Sequence, residues 1–306
     1  MSHAVSDDPD MSGPPEPRFG RVLTAMVTPF AADGSLDLEA ARALARRLVD
    51  DEGNDGLVVN GTTGESPTTT DAEKAELVRV VADEIGDRAH VIAGVGTFST
   101  AHTCELATQA AEAGATALLV VTPYYSKPSQ EGLVQHFTAV AGETELPIMV
   151  YDIPHRAGVA IRTETMRTLA GLPTVVAVKD AKGDLEASSM VLASTDLDYY
   201  SGDDPLTLPL LAIGAVGVVG TSTHFSAPAM RRMIEAFTAG DVREARRIHE
   251  QWFGVFAGVF AAQGVTMVKG TLAALGQGVG GLRLPMVPPS DEVLAPFVDE
   301  VRRLRG

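Results

Sequence analysis

The run Val175-Val176-Ala177-Val178-Lys179-Asp180 places four small or β-branched apolar residues ahead of a lysine and an aspartate. A short apolar run of this kind reads as a strand buried in a core, with its charged end at the strand tip. Seven further runs of similar character lie at 23–28, 56–60, 91–94, 117–122, 147–151, 199–202 and 217–220. Between them stand segments that are apolar on one face and polar on the other, at 38–49, 71–85, 101–113, 130–142, 163–170 and 185–193. Thr70-Asp71-Ala72-Glu73 is a capping-box signature for the second of these. Eight strands separated by helices predict a (β/α)8 TIM barrel, a fold that takes about 200–250 residues. A doubly wound parallel sheet is the alternative. Beyond residue 240 the strands stop, and 242–260, 266–275 and 291–304 read as helices of a small C-terminal extension. The expected organisation is a Pro-rich acidic tail over 1–17, a catalytic barrel over 18–240 and a C-terminal helical domain over 241–306.

The composition fits an ordinary folded protein. Of 306 residues 45% are hydrophobic and 21% charged. Lys plus Arg number 24 against 40 Asp plus Glu, a net charge of −16 that opposes binding to nucleic acid or to anionic membranes. The single cysteine, Cys104, allows no intrachain disulfide and fits a reducing cytosol. The longest apolar-leaning run, 208–220, is broken by Pro209, Gly214 and Gly217 and falls short of the ~18 residues of a membrane span. No basic segment followed by an apolar stretch opens the chain. A soluble cytoplasmic protein is expected.

In a TIM barrel the active site forms where strands end and βα loops begin. The second strand runs into Asn60-Gly61-Thr62-Thr63-Gly64-Glu65-Ser66-Pro67, whose amides and hydroxyls can cradle a carboxylate or phosphate. The alternative is a glycine turn with threonine caps; Walker A spacing is absent. The fourth strand leads to Tyr124-Tyr125, a pair in a chain with five tyrosines, which could equally pack at the rim. At the fifth stands Tyr151, a phenol able to relay protons, followed by Arg156, whose planar fork suits a carboxylate unless it is simply solvated. His155 reads as a rim residue. Lys179 is the sharpest signal: at the tip of a fully apolar strand, desolvation lowers an amine toward neutrality and makes it a nucleophile for a ketone. Snorkelling to the rim or pairing with Asp180 is the alternative. Gly202, Asp203 and Asp204 end the seventh strand, but no set of ligands at metal spacing accompanies them, so no metal is expected.

Taken together, the stretches GTTGES, VTPYYSKPSQEG, YDIPHRAG, VAVKDAKGDL and YSGDDPL resemble the dihydrodipicolinate synthase family, most closely its actinobacterial branch. This family lies within the pyruvate-dependent Schiff-base aldolases, which also include N-acetylneuraminate lyase. The resemblance spans about residues 20 to 290. It implies that Lys179 condenses with pyruvate, that Tyr151 moves protons at the imine, and that Thr62 and Tyr125 complete the relay. Tyr125 would reach a neighbouring subunit's site across a tight dimer. Thr63 and the backbone at Val219 would contact pyruvate, and Arg156 the carboxylate of the second substrate, with Gly202 and Asp203 close by. The implied reaction joins pyruvate to L-aspartate 4-semialdehyde, giving 4-hydroxy-tetrahydrodipicolinate for diaminopimelate and lysine. It needs no cofactor beyond the imine on Lys179, and the implied assembly is a homotetramer of two tight dimers. Arg156 and Gly-Thr-Thr-Gly-Glu favour the synthase over sialic-acid lyases. Two places depart from the pattern: His155 stands where Ser or Gly is usual, and 219–223 differs from the typical Ile-Ser-Val run. The inhibitory lysine site of feedback-controlled members falls here on Asp71, Lys74, Phe98 and His102, which implies weak or absent inhibition. The competing readings are a sister aldolase or dehydratase acting on a sugar acid, and a non-catalytic barrel that binds a keto acid.

Overall fold

The computed structural model describes residues 16–306. Most of the expected tail, 1–15, lies outside the described residues. Eight parallel strands close into a barrel in sequence order: β1 (Val22–Ala25), β2 (Gly56–Val59), β3 (His90–Gly94), β4 (Ala117–Val121), β5 (Ile148–Asp152), β6 (Val175–Asp180), β7 (Asp198–Ser201) and β8 (Gly217–Gly220). β1 pairs with β8, with Leu23 opposite Val219, so the sheet has no free edge. The TIM barrel is therefore the fold, and each predicted strand is present to within a few residues at its ends.

The surrounding helices are α1 (Leu38–Arg46), α2 (Asp71–Ile85), α3 (Thr100–Glu112), α4 (Gln130–Gly142), the single turn α5 (Pro154–Ala157), α6 (Thr163–Ala170), α7 (Leu185–Leu192), the short α8 (Thr207–Leu211) and α9 (Thr223–Thr238). The C-terminal extension is α10 (Val242–Gly258), α11 (Gly264–Ala274) and α12 (Asp291–Arg305). The capping box opens α2 as predicted: the Thr70 side chain accepts from the Glu73 amide while the Glu73 carboxylate accepts from that of Thr70. Two differences stand out. The helix expected over 38–49 finishes as α1 and a π-helical turn over Arg47–Asp51. The sequence reading names no helix over α9, which contains Pro228 but hides a nearly unbroken buried face from Thr223 to Ala227. Pro228 is the sixth residue of this helix, past the first turn, so it forgoes one i→i−4 hydrogen bond that the buried packing of α9 must offset. Among the described residues no helix is long and apolar enough to cross a membrane.

Strand alternation makes two cores. Leu23, Val58, Ile92, Leu119, Met149, Ala177, Tyr200 and Val219 fill the barrel interior. Their strand neighbours, such as Leu57, Val91, Leu118, Val150, Val178 and Val218, pack against the helices. Each strand is therefore apolar on both faces. Phe19 plugs the N-terminal end, edge-on to His90 with ring centroids 5.4 Å apart, while the Tyr200 hydroxyl donates to the Gly20 carbonyl at 2.9 Å. Asp55 ties this end together: its carboxylate accepts from the amides of Arg21 (2.7 Å) and Val22 (2.9 Å) and from Arg231 (2.7 Å). A Cβ on Gly20, at φ +76°, would lie 2.3 Å from the Asp55 Cβ, so only glycine fits this turn.

Asp55→Ala strands two amides at the barrel's closed end, far from the loops that carry the site. It is expected to lower the free energy of unfolding by about 2 kcal/mol in urea titration, with turnover preserved. An unchanged midpoint would contradict this account of the closure.

Candidate active site

Alternation along β5 and β6 decides which charged groups enter the barrel. Met149 and Tyr151 point inward with Ala177 and Lys179, whereas Asp152 and Asp180 face the helices. In the strand register Tyr151 lies directly opposite Lys179, and Lys179 Nζ stands 4.3 Å from the centre of the Tyr151 ring. The amine therefore neither snorkels nor pairs with Asp180. Lys179 is 5% exposed, and burial pulls it from its ordinary value to about 8, with Asp204 opposing and Arg156 reinforcing the shift. Burial also pushes the Tyr151 phenol well above its ordinary value; nearby Arg156 and Thr62 pull the other way.

Asp180 has a separate task outside the barrel. Its Oδ2 accepts from Lys182 Nζ (2.8 Å), Ser188 Oγ (2.6 Å) and the Tyr199 hydroxyl (2.6 Å). Burial opposes both charges, yet their mutual attraction holds Asp180 below its usual range and Lys182 above. Asp152 accepts from the Ile161 amide through Oδ1, leaving Oδ2 without a hydrogen-bond partner and 3.8 Å from Lys182. Burial raises Asp152 to about 6. The residues immediately after Tyr151 and Lys179 thus anchor their strands from behind.

Above Lys179 opens a cavity of about 580 Å³, lined by Thr62, Thr63, Tyr151, Arg156, Gly202 and Asp203 together with Thr221 and His155. Seven of the nine predicted site residues, with Lys179, share this one space. Gly202 is required by closeness: a Cβ there would stand 2.9 Å from Lys179 Cγ and 3.0 Å from Cε. Asp203 is raised from its usual value by burial and by its acidic neighbours. Val219 lies beneath, fully buried in the barrel interior, and is not part of the cavity wall. Tyr125 does not join the cavity of its own chain. It is 92% exposed, with φ at +72°, beside the edge-on pair of Phe98 and Tyr124. Among the described residues no group of three or more His, Cys, Asp or Glu could hold a metal ion.

Several residues to which the sequence reading assigns no supporting role hold the site in place. Asp204, fully buried, accepts from the amides of Thr221 (3.0 Å) and Ser222 (2.9 Å) and fixes the loop after β8. Glu65 sits in the left-handed region at φ +56° and carries the loop of Thr62 and Thr63 into place. Its carboxylate accepts from Lys269 Nζ of α11 at 2.7 Å and from the Arg283 amide at 3.0 Å. Both side chains of the Glu65–Lys269 pair are almost completely buried, and Phe30 lies under Lys269 and Arg283 at 4.3 and 4.2 Å. Gln263, just before α11, accepts from Arg156 Nη2 at 2.9 Å. These partners are far apart in sequence, so no local pattern announces them.

Known proteins resemble the chain over most of its length. A 4-hydroxy-tetrahydrodipicolinate synthase of Acidothermus cellulolyticus is 61% identical over 277 residues, 90% of each chain. A second synthase of that name, from Streptomyces coelicolor, is 59% identical over 273 residues, 89% of this chain and 91% of the relative. Among solved structures, a dihydrodipicolinate synthase of Bacillus anthracis superposes with a TM-score of 0.90 at 41% identity, covering 93% of this chain and 98% of the other. The sequence profile of the dihydrodipicolinate synthetase family matches residues 18–303. With a closed barrel, a buried lysine on β6 and these relatives over nearly its whole length, the chain belongs to the dihydrodipicolinate synthetase family.

Proposed function

We propose that the chain is a 4-hydroxy-tetrahydrodipicolinate synthase, a Schiff-base lyase that joins pyruvate to L-aspartate 4-semialdehyde. The observation that carries this reading is the buried Lys179 amine, held against Tyr151 on the floor of a cavity whose rim bears Arg156. Neutral Lys179 attacks the pyruvate ketone; water leaves and an imine forms. Loss of a methyl proton gives the enamine, whose carbon attacks the aldehyde of the semialdehyde. The amino group of that substrate then displaces Lys179 by transimination, closing the ring. The sum is one product and one water from two substrates, with no oxidation or reduction, so the imine itself supplies the electron sink.

We assign the roles accordingly. Tyr151, kept protonated by its burial, donates and takes back the protons that these steps move, with Thr62 beside it as the next hydroxyl. Thr63 holds the pyruvate carboxylate, with the backbone at Val219 below. Arg156 receives the carboxylate of the semialdehyde, and Gly202 and Asp203 leave room beside it. Tyr125 completes the relay in a neighbouring subunit of a homotetramer built from two tight dimers, which accounts for a tyrosine standing outside its own cavity. The lone Cys104 fits a reducing cytoplasm, where diaminopimelate and lysine are made.

Turnover coupled to the following reductase, read as NADPH loss, is expected to saturate in both substrates and to stay flat in millimolar L-lysine. Lys179→Ala is expected to lose at least 1000-fold and to give no borohydride-trapped pyruvate adduct; retained turnover in this variant would refute the mechanism. Wild-type trapping without turnover would favour a sugar-acid aldolase instead.

The buried amine also has a stability cost. Its folded-state value of about 8 lies below the ordinary 10.5, so burying the ammonium is unfavourable at neutral pH and ceases to matter as both states become neutral above about 10. Lys179→Met is expected to raise stability by on the order of 3 kcal/mol at pH 7 and by much less at pH 10. Equal midpoints for variant and wild type at pH 7 would contradict the desolvated amine.

A further inference from the structure

We infer that Gln263, supplied by the C-terminal extension, is a specificity-determining residue for the second substrate, presenting with Arg156 a two-part donor surface to its carboxylate. The inference rests on the reading of the site as a synthase and extends it to a residue outside the barrel strands.

Gln263 occupies the position that opens α11, where a side chain commonly caps the helix, yet it makes no such cap. Its backbone carbonyl accepts from Thr266 N (2.9 Å), Thr266 Oγ1 (2.8 Å) and Met267 N (3.2 Å), which fixes the main chain. The side chain instead turns to Arg156, across 107 residues of sequence, and its Oε1 accepts from Nη2 at 2.9 Å. Both residues line the cavity that holds Lys179 and Tyr151. Among the described residues this is the only hydrogen bond of the Arg156 guanidinium, and no carboxylate pairs with it.

That choice of partner has chemical consequences. The amide oxygen is neutral, so it aims the guanidinium without cancelling its charge, as a glutamate would. It also occupies one of the donor directions that a substrate carboxylate would use. Gln263 Nε2 has no partner among the described residues, so the amide can donate to the same carboxylate that Arg156 attracts. The scaffold is rigid, because Lys269, further along α11, is locked to Glu65 on the loop of Thr62 and Thr63. Pyruvate, bound below at Lys179, does not need this pair.

The test compares Gln263→Glu and Gln263→Leu with wild type in the coupled assay, alongside borohydride trapping of pyruvate and thermal midpoints. Gln263→Glu neutralises Arg156 and is expected to raise KM for L-aspartate 4-semialdehyde at least tenfold. Gln263→Leu, which keeps the bulk but loses both polar ends, is expected to raise it three- to tenfold. KM for pyruvate, the trapped adduct and the midpoint are expected to stay within twofold or two degrees. An unchanged semialdehyde KM in Gln263→Glu would overturn the inference, as would a parallel rise in both KM values with a lowered midpoint, which marks a merely structural residue. Absence of semialdehyde turnover in the wild type is the distinct result that removes the synthase reading itself.

Discussion

Desolvation of one amine, Lys179 at the tip of β6, is the constraint on which the rest of the site depends. An ammonium taken from water loses hydration that a protein rarely replaces in full, and here its nearest strand partner is the face of Tyr151 rather than a carboxylate. Asp204, the buried acid whose charge favours the ammonium, spends its hydrogen-bonding capacity on the Thr221 and Ser222 amides and the Ser222 hydroxyl. The field therefore moderates the shift without forming a direct ion pair that would hold the amine protonated. Gly202 completes the fit by leaving the lysine stem room that any Cβ would fill.

A closed parallel barrel meets this constraint because alternating residues separate two environments. Inward positions carry Tyr151 and Lys179 to the cavity floor; outward ones carry Asp152 and Asp180 into a polar cluster with Lys182, Ser188 and Tyr199. A shift of one residue in β6 would exchange the two and place the aspartate inside. The C-terminal helices add a second layer of control. Through Lys269 they hold Glu65, whose left-handed backbone is unfavourable by about 1 kcal/mol, and so fix the threonine loop.

Much of this was legible in the sequence, for reasons that are local. Apolar runs at 175–180 and 217–220 mark strands since both faces are buried, and Thr70 with Glu73 marks a helix start through contacts within one turn. Lys179 stood out because a charge closing an apolar strand is costly without a purpose. The hidden features are those whose partners are distant: Glu65 meets Lys269 across 204 residues, and Arg156 meets Gln263 across 107. Pro228 obscured α9, since a proline in the first turns of a helix resembles a break when the packing that accommodates it is unseen. Tyr125 shows the complementary limit: it is 92% exposed and stands outside the cavity of its own chain, so a single chain gives no contact from which its proposed role can be read.

The most direct measurement is the pH dependence of pyruvate trapping by borohydride, with the modified peptide mapped by mass spectrometry. The account predicts adduct on Lys179 alone of the five lysines, forming faster as pH rises and levelling off at an apparent value near 8. Adduct on another lysine, or a rate still climbing toward 10.5, would contradict the claim that this fold delivers a neutral amine by burying it.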